Sequence, residues 1–73
     1  MKTSIKLSAR TALADILEQR RVKVLENIDF NDYYIKEVSD AEIRELTRES
    51  NMIQKHEITI IDRFLEMLDN GTV

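Results

Sequence analysis

The stretch Arg20-Arg21-Val22-Lys23-Val24-Leu25-Glu26-Asn27-Ile28-Asp29-Phe30-Asn31-Asp32-Tyr33-Tyr34-Ile35-Lys36-Glu37-Val38 can be read in two ways, and the fold depends on which holds. As a continued helix, Leu17, Val24, Leu25 and Ile28 extend one apolar face, and 29–38 becomes a loop between two or three helices. As strands, Val22 and Val24 alternate with their neighbours, Asp29, Asn31 and Asp32 turn the chain, and 33–38 forms a second strand rich in aromatic and β-branched residues. No glycine stands where a two-residue turn needs one, so that hairpin requires a longer loop. Local propensity leaves both readings open.

Upstream, Thr3–Ser8 alternates, with Ile5 and Leu7 on one side, which is the period of a short half-buried strand. Ser8 then caps a helix from Ala9 to Gln19, with Leu13, Ile16 and Leu17 on one face. Downstream, Ser39 and Glu42 form a capping-box pair, and Gly71 after Asn70 supplies a stop. Between these signals Ile43, Leu46, Ile53, Ile60, Phe64 and Met67 recur at three and four residues along one side of a long helix, interrupted by Ser50 and Glu57. A second, weaker cap at Asn51 with Gln54 leaves open a break near Ser50. In the last turns Ile60, Ile61, Phe64, Leu65 and Leu68 widen the apolar side beyond a narrow seam, so a partner is expected to cover it.

The sequence has 73 residues, enough for one small domain with a marginal core. It contains no cysteine, so oligomerisation or binding to a larger protein is the expected source of further stability. No apolar run reaches the length of a membrane span; a cytoplasmic protein without membrane contact is expected. Charge is unevenly divided: residues 1–23 carry six basic and two acidic side chains, a balance of +4, and residues 24–73 carry five and twelve, a balance of -7. The expectation is two surfaces, a basic one suited to nucleic acid and an acidic one suited to a basic protein.

No catalytic signature is legible. His56 is the single histidine and lacks companions for a metal site or a general-base role, so it reads as an exposed helical residue. Asp29, Asn31 and Asp32 lack the glycine and closing glutamate of a calcium loop and read as turn residues. Glu57 reads as a residue whose stem lies along the core with its charge in water. Tyr33 and Tyr34, among acidic neighbours, read as core or dimer contacts rather than stacking platforms for bases. Arg20, Arg21 and Lys23 read as a solvated helix end, with phosphate contact as the other possibility. The chain is expected to be no enzyme and to need no cofactor or metal.

The opening Met1-Lys2-Thr3-Ser4-Ile5-Lys6-Leu7-Ser8-Ala9-Arg10-Thr11-Ala12-Leu13-Ala14-Asp15-Ile16-Leu17 resembles that of Phd/YefM-type antitoxins, in which a short strand leads into a helix. Arg10, Leu13, Asp15, Ile16 and Leu17 occupy the pattern, and Val38-Ser39 sit where the second hairpin strand gives way to a helix. The resemblance implies an α+β fold: N-terminal strand, helix, β-hairpin and long C-terminal helix. Residues 1–38 would dimerise and bind operator DNA, and residues 39–70 would wrap and neutralise a toxin. Lys6 and Arg10 become DNA-contact candidates, joined by Arg20 and Arg21 of the basic run; Ile60, Ile61, Phe64, Leu65 and Leu68 are the partner-facing anchors. The alternative is an all-α helical hairpin or three-helix bundle, serving as a phage- or plasmid-encoded inhibitor or adaptor that acts only by protein binding. A ribbon-helix-helix repressor using Ser4 and Lys6 is a weaker third reading.

Overall fold

The structure is a computed structural model that describes the backbone of residues 2–71 and the side chains of residues 9–71. Two helices account for nearly all of it: α1, Lys2–Glu37, and α2, Ala41–Asp69. Taken from one end of the molecule to the other, the residue numbers that meet fall along the second helix as they rise along the first. Arg10 lies beside Gly71, Arg20 meets Glu57, Arg21 meets Asp62, and Asn31 meets Asn51. The chain is an antiparallel helical hairpin.

The α+β expectation is overturned. Residues 3–8, 22–26 and 33–38, expected as strands, lie in α1 as far as Glu37. The physical reason is pairing: a six-residue strand satisfies its backbone groups only against a neighbour, whereas a helix satisfies them within the segment. Tyr33 to Val38 offers β-forming side chains, but a glycine-free connection gives them no tight return. The Asp and Asn residues expected to turn the chain sit inside α1. The helix runs past the expected loop, and only residues 38–40 connect α1 to α2. The all-helical hairpin alternative matches this architecture.

The entry to α2 is set one residue later than the capping box implies. Asp40, in extended conformation, is the N-cap, and its Oδ1 accepts from the backbone N–H of Glu42 at 2.9 Å and of Ile43 at 3.1 Å. A carboxylate there also suits the positive end of the helix dipole. Arg44 Nη2 reaches back to donate to the Val38 carbonyl at 2.8 Å, tying the new helix to the end of the old. At the other end Gly71 takes φ 71°, a left-handed conformation that glycine adopts without penalty, and its N–H donates to the Leu68 carbonyl. No break occurs near Ser50: α2 is continuous, and Asn51 lies within it.

Two helices side by side form a single layer. The molecule extends 58 × 16 × 12 Å, so its thinnest dimension is one helix with side chains, about 10–12 Å. Its radius of gyration is 16.7 Å, where a compact chain of this length has about 11 Å. Among the described residues the buried apolar side chains are Val24, Ile28, Ile61 and Leu68, all along the line where the helices touch. Domains ordinarily bury their apolar surface between two packed layers. Here one layer is present, and much apolar surface faces outward.

Candidate protein-binding face

On α1 the positions turned toward α2 are Arg10, Ala14, Leu17, Arg21, Val24, Ile28, Asn31 and Ile35, with Val38 continuing the line just past the helix end. On α2 the matching positions are Arg44, Thr47, Asn51, Gln54, Ile58, Ile61, Leu65 and Leu68; all of these are buried or half-buried. Steps of three and four alternate without interruption on both helices, the seven-residue repeat of a coiled-coil seam. The seam is only partly apolar. Near its middle Asn51, 4% exposed, accepts from Asn31 Nδ2 at 3.0 Å and donates through its own Nδ2 to Asp32 Oδ1 at 2.8 Å. A buried asparagine paired with a half-buried one, satisfied only in one alignment, penalises any slip of the helices by a heptad. Arg44 Nε and Gln54 Oε1 are buried without a hydrogen-bond partner, so the seam carries polar atoms that its packing does not fully satisfy.

Two ion pairs flank the seam. Arg20 grips Glu57, with Nε to Oε1 at 2.9 Å and Nη2 to Oε2 at 3.3 Å, and Arg21 Nε meets Asp62 Oδ1 at 2.7 Å. Both guanidinium pKa values are raised above their ordinary value, first by the hydrogen bond to the carboxylate and then by its charge. The uneven charge distribution thus has an internal use: folding back lays part of the basic N-terminal half against acidic residues of α2. The expected solvated helix end at Arg20 and Arg21 lies mid-helix instead, and phosphate contact there would have to displace the two carboxylates.

One residue before each seam position lies a second row on each helix. On α2 it holds Ile43, Leu46, Ser50, Ile53, Glu57, Ile60, Phe64 and Met67. On α1 it holds Leu13, Ile16, Arg20, Lys23, Asn27, Phe30 and Tyr34. In an antiparallel pair these rows lie on the same side of the seam, and the Arg20–Glu57 ion pair joins them directly. Together they make one broad face. Most of its apolar members are open to solvent, Ile53 at 71% and Ile60 at 50%, with Ile16, Phe30, Ile43 and Leu46 also exposed. Phe30 and Tyr34 stack on it with ring centroids 6.2 Å apart and planes 10° apart.

The opposite side is different in kind. The positions one residue after the seam include Asp15, Glu18, Asp29, Asp32 and Lys36 on α1 and Glu45, Arg48, Lys55, Asp62 and Glu66 on α2. Val22, Leu25 and Met52 are its exposed apolar members. The hairpin therefore has an apolar face and a charged face, a sidedness that belongs to the pair of helices rather than to α1 alone.

The expected anchors are divided by this geometry. Ile61 and Leu68 are buried against α1 and Leu65 is half-buried in the seam, whereas Ile60 and Phe64 lie on the outward row. Among the DNA-contact candidates, Arg10 is half-buried beside Gly71, Arg20 and Arg21 are ion-paired, and Lys6 lies on the helical backbone with its side chain outside the described residues. Ser4 shares that position. His56 is exposed, Glu57 is half-exposed on Arg20, and Tyr33 is 64% exposed rather than in a core. Asn31 and Asn51 belong to the seam, with Asp32 beside it, rather than to a turn or a cap; an asparagine in each helix at seam spacing is the sequence signal for them. Among the described residues no group of three or more His, Asp or Glu side chains is placed to hold a metal ion, and no helix is long and apolar enough to cross a membrane.

Compared with protein-family models, curated proteins and solved structures, the chain finds no match.

Proposed function

We propose that this chain is a protein-binding module, in the manner of an all-helical inhibitor or adaptor with no chemistry of its own, whose apolar hairpin face packs against a second protein chain. The supporting observation is the α2 row from Ile43 to Met67, apolar at every position but Ser50 and Glu57. It keeps the spacing of a helix-packing seam over the length of the helix, yet it faces solvent beside a seam that is already in use. Scattered exposed apolar residues need no explanation, but a contiguous row opposite a charged face is the usual mark of an interface. The antitoxin-like reading implies an N-terminal strand and a β-hairpin, and those segments are helix in this chain, so the all-helical reading is preferred.

Site-specific photocrosslinking tests the proposal. A photoreactive phenylalanine analogue at Ile53 or Ile60 should trap protein adducts in the expressing cell, whereas the same analogue at Met52, on the charged side, should trap few. Equal adducts at the three positions, or none at Ile53 and Ile60, would refute it.

A further inference from the structure

The apolar face needs an occupant, and three observations converge on one. The first is area. The hairpin exposes 5908 Å², whereas a compact folded chain of 8.6 kDa exposes about 4,700 Å². Two copies that each buried the excess of roughly 1,200 Å² would form an interface of about 2,400 Å² in total, within the range of obligate homodimers.

The second is self-complementarity. Turned end for end about a point near Lys55, the α2 row meets itself in register: Leu46 faces Phe64 of the other copy, Ser50 faces Ile60, and Ile53 faces Glu57. Each polar position lands against an apolar one, where the stem of Glu57 can pack while its carboxylate stays on Arg20. A parallel arrangement would instead set Glu57 on Glu57 and Ser50 on Ser50, stacking like charges at the centre. A two-fold axis requires this kind of patch, one that fits its own reverse.

The third is charge at the margin. Glu49 and Arg63 lie just outside the row, and neither makes an ion pair among the described residues. The same antiparallel register brings Glu49 of each copy to Arg63 of the other. On α1 the two-fold point falls near Asn27, which sets the Arg20 guanidinium over the stacked Phe30 and Tyr34 rings of the second copy. We propose that the face is covered by a second copy of this chain, with α2 antiparallel to α2, closing a four-helix bundle. This rests on the binding role proposed above and names its partner.

The test is sedimentation equilibrium over a range of concentrations, with far-ultraviolet circular dichroism and dye binding to apolar surface on the same samples. The wild-type chain should sediment at twice 8.6 kDa. Ile53→Lys should weaken association by about 100-fold while helicity is kept, since that side chain is 71% exposed in the single hairpin. Met52→Lys, on the charged side, should leave the dimer intact. Glu49→Arg should weaken association roughly fivefold, and adding Arg63→Glu should restore it. If Ile53→Lys unfolds, this charge swap decides the matter alone. A wild-type monomer whose dye binding is lost in Ile53→Lys overturns the second copy as occupant but leaves the face as a binding surface. A monomer that binds no dye overturns both, and a dimer indifferent to Ile53→Lys and to the charge swap places the interface elsewhere and overturns the inference.

Discussion

Replacing Asn51 by alanine tests whether the helices are aligned by their buried polar contacts. The substitution removes the 3.0 Å bond from Asn31 Nδ2 and the 2.8 Å bond to Asp32 Oδ1. At about 1 kcal/mol each, with somewhat more for the bond to a carboxylate, the loss is about 2 kcal/mol. Asn31 is left with a part-buried donor to satisfy, which keeps the cost from being recovered by relaxation. In a domain of this size 1 kcal/mol shifts the melting temperature by roughly 4–8 °C, so Asn51→Ala should melt about 10 °C lower at matched concentration. The contrasting variant is Asn31→Leu/Asn51→Leu. Removing both amides leaves neither unsatisfied, the exposed Asp32 carboxylate turns to water, and each leucine adds apolar burial worth up to about 1.5–3 kcal/mol, so the variant should melt higher than wild type. It should also lose the penalty against a heptad slip, which spin labels on α1 and α2 would report as a second interhelical distance. Circular dichroism melts supply the stabilities. An Asn51→Ala chain that melts within about 2 °C of wild type, or a double leucine variant that melts lower, would refute the assignment of these residues to the seam.

Val24→Ala and Val22→Ala separate helix from strand in the stretch that decides the fold: Val24 is 1% exposed and Val22 53%, so the first should cost about 1–2 kcal/mol and the second close to nothing in urea unfolding. As strand residues the two would share a face, and similar losses would contradict the helix. Asp40→Ala should cost about 1 kcal/mol and Ser39→Ala less than half of that, because the Asp40 carboxylate caps α2; the reverse order would return the cap to Ser39. For Arg20→Gln/Arg21→Gln the sign of the pH effect follows from the raised pKa values. A group whose pKa rises on folding contributes fully below its unfolded value, which for a guanidinium lies far above neutral, and loses that contribution only as pH climbs through the still higher folded value. The small difference in melting temperature between this variant and wild type should therefore stay constant from about pH 7 to about pH 10, and a difference that shrinks over that range would contradict the ion pairs.

Part of the helical architecture is legible in the sequence itself. The segment from Ala9 to Gln19 and the long C-terminal helix follow from periodicity and from stop chemistry at Gly71. The difficulty lies in the local character of residues 20–38. Val22, Val24, Tyr33, Tyr34 and Ile35 carry the side chains of strands, and Asp29, Asn31 and Asp32 carry those of turns. Tertiary pairing outweighs both preferences. Val24, Ile28, Asn31 and Ile35 keep the seven-residue repeat through that stretch, and Asn31 and Asp32 find their partner in Asn51, twenty and nineteen residues away. Such a contact has no local trace.

On the long helix the gap between sequence pattern and packing has a different cause, and it bears on function. Ile43, Leu46, Ile53, Ile60, Phe64 and Met67 form the more apolar of two adjacent rows on α2, and apolar periodicity picks out that row. The hairpin uses the other one, starting at Arg44, because its polar members have specific partners in the same chain: Val38 for Arg44, and Asn31 and Asp32 for Asn51. Hydrogen bonds thus select which side of α2 faces α1, and the choice leaves the better apolar row outside. If the hairpin worked alone, exchanging the rows would bury more apolar surface and leave fewer seam atoms such as Arg44 Nε and Gln54 Oε1 unsatisfied. A helix that turns its more polar row inward and its more apolar row outward is arranged for a layer beyond the hairpin. The outward row is therefore the surface on which the proposed binding role rests.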